Sequence, residues 1–362
     1  MLSEPTENVA TLSRFGGWAE VFAHLGQRRD LPPEVVHAAV SEILQGIATD
    51  AQIAGLLIGL RTKGESVGEL GAALQAMLAA SVAVPLSAAT RERAICTCGT
   101  GGDRSNSINI STTAMFVVAG AGGVICKHGG RAASSQSGAA DVLEALGVVL
   151  DLSPESVARC VDEVGVGFCF APRFHPAMRH AAPVRRQLGV ATIFNFLGPI
   201  ANPGRVRRQL VGVADPAMAP KMASVLASMG TLSALFVHGH DGLDELTTTT
   251  TSTMWALQSD GTVIASIFDP AAIGMARATS ADLLGGNPSE NANFLKRVLD
   301  GTLGAHRDIV VLNAAAALVA AGAAADVGAA VVQAQNSIDS GAARSALDRL
   351  VTLTQRLRQP AA

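Results

Sequence analysis

The sequence predicts an α/β protein in which a small all-helical domain precedes a larger domain with a mostly parallel sheet. Three observations predict it. The N-terminal stretch carries apolar residues at helical spacing and no strand-like run. From Ala94 onward, short β-branched runs alternate with helical patterns, the rhythm of βαβ units. Two of those runs end in glycine-rich turns that pass through hydroxyl side chains into helices, between Gly99 and Glu144. Hydrophobic residues make up 49% of the 362 positions and charged residues 16%, ample for a packed core and contrary to disorder.

The elements follow in order. Trp18–Leu25 is apolar at helical spacing, and Pro32-Pro33 opens a stripe of Val36, Ala39, Val40, Ile43 and Leu44. Asp50 reads as the N-cap of a helix over Ala51–Leu60, and Glu69–Ser81 is a fourth helix stopped near Pro85. The surplus apolar surface of these helices suits a core or a dimer face equally. Candidate strands are Ala94–Cys98, Val124–Lys127, Val148–Leu150, Val166–Phe170, Gln209–Val213 and Leu235–Val237. Thr113–Gly120 is helical, and Ser153-Pro154-Glu155 starts another helix. Arg173–Leu188 is helical and polar on one side, so it rejoins the helical domain. Met254–Leu257 and Val263–Phe268 flank Asp260-Gly261, a hairpin signal. Helices return after Pro270 up to about Leu357. The expected domains are residues 1–83 with about 173–200, and 84–172 with 201–362.

A formal charge of −3 offers no general attraction for nucleic acid or membrane, so any phosphate site must be local. Five scattered cysteines (Cys96, Cys98, Cys126, Cys160, Cys169) and an N-terminus without a basic-then-apolar leader read as a reducing, cytoplasmic setting. Cys96-x-Cys98 lacks a second pair at ligand spacing and reads as buried strand thiols. The apolar run Ile309–Ala325 is interrupted by Asn313 and ended by Asp326, so it reads as a buried core helix.

Four groups carry the chemistry. Gly99-Thr100-Gly101-Gly102-Asp103 lets backbone amides approach a ligand, and Asn109-Ile110-Ser111-Thr112 places hydroxyls at a helix start that suits phosphate. Lys127-His128-Gly129-Gly130-Arg131 with Ser134-Ser135 sets cations and hydroxyls at a strand's carboxyl end, enough to hold a diphosphate. Together these loops suit a phosphorylated sugar. Asp244-Glu245 suits a hard cation such as Mg²⁺. Arg185-Arg186 is a candidate carboxylate clamp. No residue stands out as a catalytic nucleophile, since there is no G-x-S-x-G elbow, which fits electrostatic and positioning catalysis.

These motifs resemble the anthranilate phosphoribosyltransferase family. The resemblance runs through GTGGD (99–103), NIST (109–112), KHGGRAASS (127–135), SGAADVLEALG (137–147), FCFAPRFHPAMRHA (168–181), FNFLGPIANP (194–203) and HGHDGLDELTTTTTS (238–252). It implies transfer of ribose 5-phosphate from phosphoribosyl pyrophosphate (PRPP) to the amine of anthranilate, with Mg²⁺ and release of pyrophosphate, in tryptophan biosynthesis. It also implies a homodimer formed through the helical domain, with no nucleic-acid or membrane partner.

By position, the resemblance implies that PRPP is surrounded by Gly99, Gly102, Asp103, Ser107, Asn109, Ile110, Ser111 and Thr112 on the first loop. On the second it implies Lys127, His128, Gly129, Gly130, Arg131, Ala132, Ala133, Ser134, Ser135 and Ala139. Ser111, Asp244 and Glu245 would hold two Mg²⁺ ions. Gly99, Gly130 and Arg185 would face the acceptor, with Arg185 meeting its carboxylate. Four positions depart from the family pattern: Gly130 stands for Asn, Arg104 for Gly, Ala139 for Ser and Ser107 for Thr. The acceptor contacts change most, so a related aromatic acid from a specialised pathway is an alternative acceptor. A pyrimidine nucleoside phosphorylase-like activity is the rival enzyme, and a PRPP-binding protein without turnover is the non-enzyme reading.

Overall fold

The computed structural model describes residues 11–132 and 136–358. It divides into two compact units, Met1–Ser81 with His175–Leu197, and Val82–Phe174 with Gly198–Ala362.

The first unit is helical. Its helices Gly17–Gly26, Pro33–Leu44, Asp50–Lys63 and Val67–Ala79 bury one apolar stripe each, including Val36, Ile43, Leu56, Leu57, Leu60, Leu70 and Leu74. Each fully buried Leu or Ile contributes roughly 1.5–3 kcal/mol. The third helix is capped by Thr49 rather than Asp50: Thr49 and Gln52 exchange hydrogen bonds in a capping box, and Asp50 is the first helical residue. Ser66 and Glu69 cap the fourth in the same way, and Glu69 also accepts from the Leu31 amide and Lys63. The stretch expected as one helix over Arg173–Leu188 is broken. Pro176 and Pro183 divide it into a 3₁₀ turn, Pro176–His180, and the helix Ala182–Leu188, because a proline ring cannot continue the preceding turn.

The second unit is built on seven strands: β1 Ala94–Gly99, β2 Val124–Gly129, β3 Val166–Phe170, β4 Arg208–Gly212, β5 Ser233–Gly239, β6 Ser252–Leu257 and β7 Val263–Phe268. Their order is β3-β2-β1-β4-β5-β6-β7. The first five are parallel, while β6 and β7 add an antiparallel hairpin at one edge. Val148–Leu150 is not a strand. Its backbone is satisfied elsewhere: the Val148 amide donates to the Leu143 carbonyl and the Val149 amide to the Thr354 hydroxyl. The run packs into the core as irregular chain, with Val148 and Leu150 buried.

Helices Ile110–Gly120 and Ala305–Ala320 are buried along most of their length. Asn313 lies fully buried in the second of them. Among the described residues no helix is long and apolar enough to cross a membrane. The five cysteines are free, four of them buried. The sheet grows in opposite directions from β1, which has β2 on one side and β4 on the other. That switch point leaves a crevice outside the carboxyl ends of β1 and β4.

Candidate active site

Gly99 and Gly212 are register partners at the carboxyl ends of β1 and β4. Asp244, which follows β5, lodges against both. A Cβ on Gly99 would overlap Asp244 Oδ2, and one on Gly212 would overlap the Asp244 carbonyl oxygen. A side chain at Gly212 would run into the Asp244 backbone, and one at Gly99 would force the Asp244 carboxylate to turn away. The Gly101 amide then donates to Asp244 Oδ2 at 2.8 Å, and the Asp244 amide to Asp103 Oδ2 at 3.5 Å. Gly101 and Gly102 both take left-handed backbone, at φ 65° and 83°. Arg104 is left-handed too, at φ 57°, so it keeps a glycine conformation where the family pattern has glycine.

Burial pushes the Asp244 carboxyl well above the usual range, and the charges of Asp103 and Glu245 push it further. Burial also raises Glu245, against the pull of Lys127 and hydrogen bonding to Ser111. Both shifts reflect first the loss of hydration on burial, with neighbouring carboxylates adding to it. Lys127 is buried beneath the acids, donating to the Thr97 carbonyl and to Ser111 Oγ, the latter at 3.1 Å. Ser111 lies in the first turn of Ile110–Gly120, whose Asn109 N-cap has no side-chain cap bond. Asn109 instead ties the surroundings together, donating to the Ser137 carbonyl at 3.1 Å and accepting from Asn291 at 2.8 Å.

An oxygen-rich set of Asp244, Glu245 and Ser111 fits a hard divalent cation. Among the described residues no group of three or more His, Cys, Asp or Glu is arranged to hold a metal by itself. Mg²⁺ commonly takes one or two carboxylates, with ligand phosphates and water completing the shell.

The second loop is arranged differently. His128 Nδ1 pairs with the Gly198 carbonyl at 3.0 Å. Arg131 is salt-bridged to Asp141 and Glu144, each at 2.8 Å, and stacks over Phe170. Asp141 also accepts from the Ala132 and Gly138 amides, closing the loop onto the helix Ala139–Ala145. Among the described residues, a Cβ at Gly130 would meet only Ala171, at 3.8 Å. Ser107 faces a bridge to Leu284, and Ala139 begins its helix. Ala133, Ser134 and Ser135 lie outside the described residues.

Arg185 belongs to the helical unit. Its guanidinium donates to Asn195 Oδ1 at 3.2 Å and stacks over Phe194, while its buried Nε has no hydrogen-bond partner. Burial alone pulls its pKa down. Arg186 is exposed. A separate cleft of about 730 Å³ lies near the amino end of β3, lined by Val164, Arg344, Asp348 and Arg349. None of the phosphate-binding motifs lines it.

Sequence reasoning missed Gly212, Thr97 and Asn291. Only Gly212 carried a signal, as a glycine closing an apolar strand. The other two act through bonds to residues 30 and 182 positions away.

The glycosyl transferase family, a/b domain, matches residues 91–344, and the glycosyl transferase family, helical bundle domain, matches residues 19–81. The anthranilate phosphoribosyltransferase of Nocardioides sp. is 51% identical over 344 residues, covering 94% of this chain and 99% of its own. The crystal structure of the Thermus thermophilus enzyme of that name has a TM-score of 0.86 at 37% identity, covering 92% of this chain and 99% of its own. The Saccharomyces cerevisiae enzyme, solved in complex with PRPP and Mg, has a TM-score of 0.85 at 27% identity and covers 95% of this chain and 99% of its own.

Proposed function

The chain belongs to the anthranilate phosphoribosyltransferase family, and we propose phosphoribosyl transfer from PRPP to anthranilate as its activity. The product is N-(5-phosphoribosyl)anthranilate, a step of tryptophan biosynthesis, and pyrophosphate is released. One observation in the molecule supports the reading most. Asp244-Glu245 is held by two paired glycines at the sheet's switch point, directly beside a glycine loop in left-handed backbone.

In this reading the Gly101-Gly102 turn and the start of Ile110–Gly120 receive the phosphates of PRPP. The first lets backbone approach the ligand closely, and the second presents the N–H groups of a helix start whose N-cap side chain bonds elsewhere. Asp244, Glu245 and Ser111 hold Mg²⁺, and we assign two ions to the bound state. Bound Mg²⁺ supplies positive charge at the departing pyrophosphate. Lys127 balances Glu245 from below and fixes the Ser111 hydroxyl. The C1–O bond to pyrophosphate breaks as the neutral amine of anthranilate attacks the opposite face, so configuration inverts. We assign Arg185 to the acceptor carboxylate, which a guanidinium pairs well. No nucleophilic side chain is required.

His128, Gly129, Gly130, Ala132 and Ala139 line the donor site in this reading, while Arg131 is committed to Asp141 and Glu144. A homodimer through the helical unit and a cytoplasmic location complete the proposal, the latter supported by five free thiols. Gly130 favours one second reading, in which a related aromatic acid replaces anthranilate.

The test is a product assay with PRPP, Mg²⁺ and a panel of aromatic amines, including anthranilate. Mg²⁺-dependent pyrophosphate release with anthranilate is expected. Phosphorolysis of thymidine or uridine without PRPP would overturn it, and turnover confined to another acceptor would select the second reading.

A further inference from the structure

The helix Ala305–Ala320 has one feature its packing does not call for. Asn313 is fully buried among Val310, Leu312, Ala314 and Ala317, where an aliphatic side chain would fit and favour the helix more. A buried amide is tolerated only when its hydrogen bonds are made. Asn313 makes three. Its Oδ1 accepts from the Leu246 amide at 2.9 Å, and its Nδ2 donates to the Leu246 carbonyl at 2.9 Å and to the Ile309 carbonyl at 2.9 Å. The side chain therefore supplies both bonds that a neighbouring strand would give to Leu246.

Leu246 is fully buried and directly follows Asp244-Glu245. On the other side of the acid pair, the Gly239 amide donates to the Leu243 carbonyl at 2.8 Å. Between these two anchors the Asp244 carbonyl occupies the slot left by Gly212. Asn313 has no hydrogen bond to either carboxylate or to the glycine loops among the described residues. Its hydrogen bonds reach the acid pair through the Leu246 peptide.

We propose that Asn313 is a positioning residue for the acid pair: by gripping both polar groups of Leu246, it fixes the direction in which Glu245 points. The proposal rests on the assignment of Asp244 and Glu245 to Mg²⁺ made above. Without the grip, the Leu246 peptide loses both partners and turns, and Glu245 moves off Ser111.

The test compares Asn313→Leu and Asn313→Asp with Val310→Ala, a cavity substitution at a fully buried position of the same helix. Three quantities are read: Mg²⁺ half-saturation of PRPP binding by calorimetry, hydrogen exchange of residues 243–249, and Tm. Asn313→Leu is expected to raise Mg²⁺ half-saturation about tenfold or more, because small misplacements of charged groups at such sites are costly. Exchange at Leu246 should accelerate with it. Asn313→Asp keeps an acceptor for the Leu246 amide but loses both donations, so a smaller shift in the same direction is expected; it also serves if the leucine variant does not fold. Val310→Ala should lower Tm and leave Mg²⁺ half-saturation unchanged.

The proposal is overturned if the Asn313 variants keep wild-type half-saturation, if Leu246 exchange does not change, or if Val310→Ala shifts half-saturation equally. Failure of the wild-type protein to bind PRPP with Mg²⁺ would sink the assignment of function instead. Leu246 exchange would then still decide whether Asn313 fixes the acid loop.

Discussion

The two glycine-rich loops end neighbouring parallel strands, yet they work in opposite ways. The first, Gly99–Asp103, has few side chains to offer and presents backbone, with the Asp244 carboxylate wedged against it. The second, Lys127–Arg131, carries polar side chains that are already engaged: the Lys127 ammonium on the Thr97 carbonyl and Ser111, His128 on a carbonyl, the Arg131 guanidinium on two carboxylates. A positive residue in sequence is therefore not a positive residue available to a ligand. Charge must be counted after internal partners are subtracted.

The sharpest way to break this contrast is to add one methyl group to each loop. Gly99→Ala forces Cβ into Asp244 and is expected to lower kcat/KM by about 100-fold or more, in line with the cost of misplacing a group by about 1 Å. Among the described residues Gly130→Ala meets only Ala171, at ordinary contact distance, and should leave kcat within about twofold. Steady-state rates on both variants decide it; equal losses would erase the distinction.

Next in size is Lys127→Met. It strips the donor from the buried Thr97 carbonyl and Ser111, and leaving such a group unpaired costs about 1–3 kcal/mol. Denaturant unfolding should report that loss together with weaker Mg²⁺ binding. Weaker PRPP binding at unchanged stability would instead make Lys127 a direct ligand contact.

Gly130→Asn adds a side-chain amide and, with it, one neutral hydrogen bond to the acceptor. A fall of up to about tenfold in KM for anthranilate is expected, from roughly 0.5–1.5 kcal/mol. No gain points to a differently shaped acceptor.

The smallest effect concerns acid. Burial opposes the charged form of Asp141, but the Ala132 amide, Arg131 and the Gly138 amide together hold its pKa below the usual value. Arg131 lowers Glu144 as well. Carboxyls depressed on folding stabilise the protein above their unfolded pKa of about 4, and that stability is lost as pH falls through the folded values. Arg131→Ala raises both folded values, so the Tm at neutral pH should fall modestly and the difference from the wild type should shrink as pH drops below about 4. Arg131 is half exposed, so the shift is modest.

Most of the sheet was legible because its strands are β-branched runs bounded by glycine, and buried parallel strands advertise themselves that way. Val148–Leu150 looked the same and is not a strand, since its amides are met by Leu143 and by Thr354, a partner 205 residues from Val149. Thr49 lost the cap to Asp50 in sequence because both residue types cap helices; Gln52 three residues on was the deciding signal. In the site, residue types were readable and their commitments were not. GTGGD and Asp244-Glu245 come together as their chemistry required, but nothing local to Arg131 states that Asp141 and Glu144 take it. Contacts between distant segments are written only in three dimensions.

The acid pair under the first loop should make PRPP binding depend on Mg²⁺. Calorimetric titration of PRPP with and without Mg²⁺, on the wild-type chain and on Asp244→Asn with Glu245→Gln, tests this most directly. Binding that requires Mg²⁺ in the wild type and falls about 100-fold or more in the double variant is the expected result. Undiminished, Mg²⁺-dependent binding by the double variant would contradict the account.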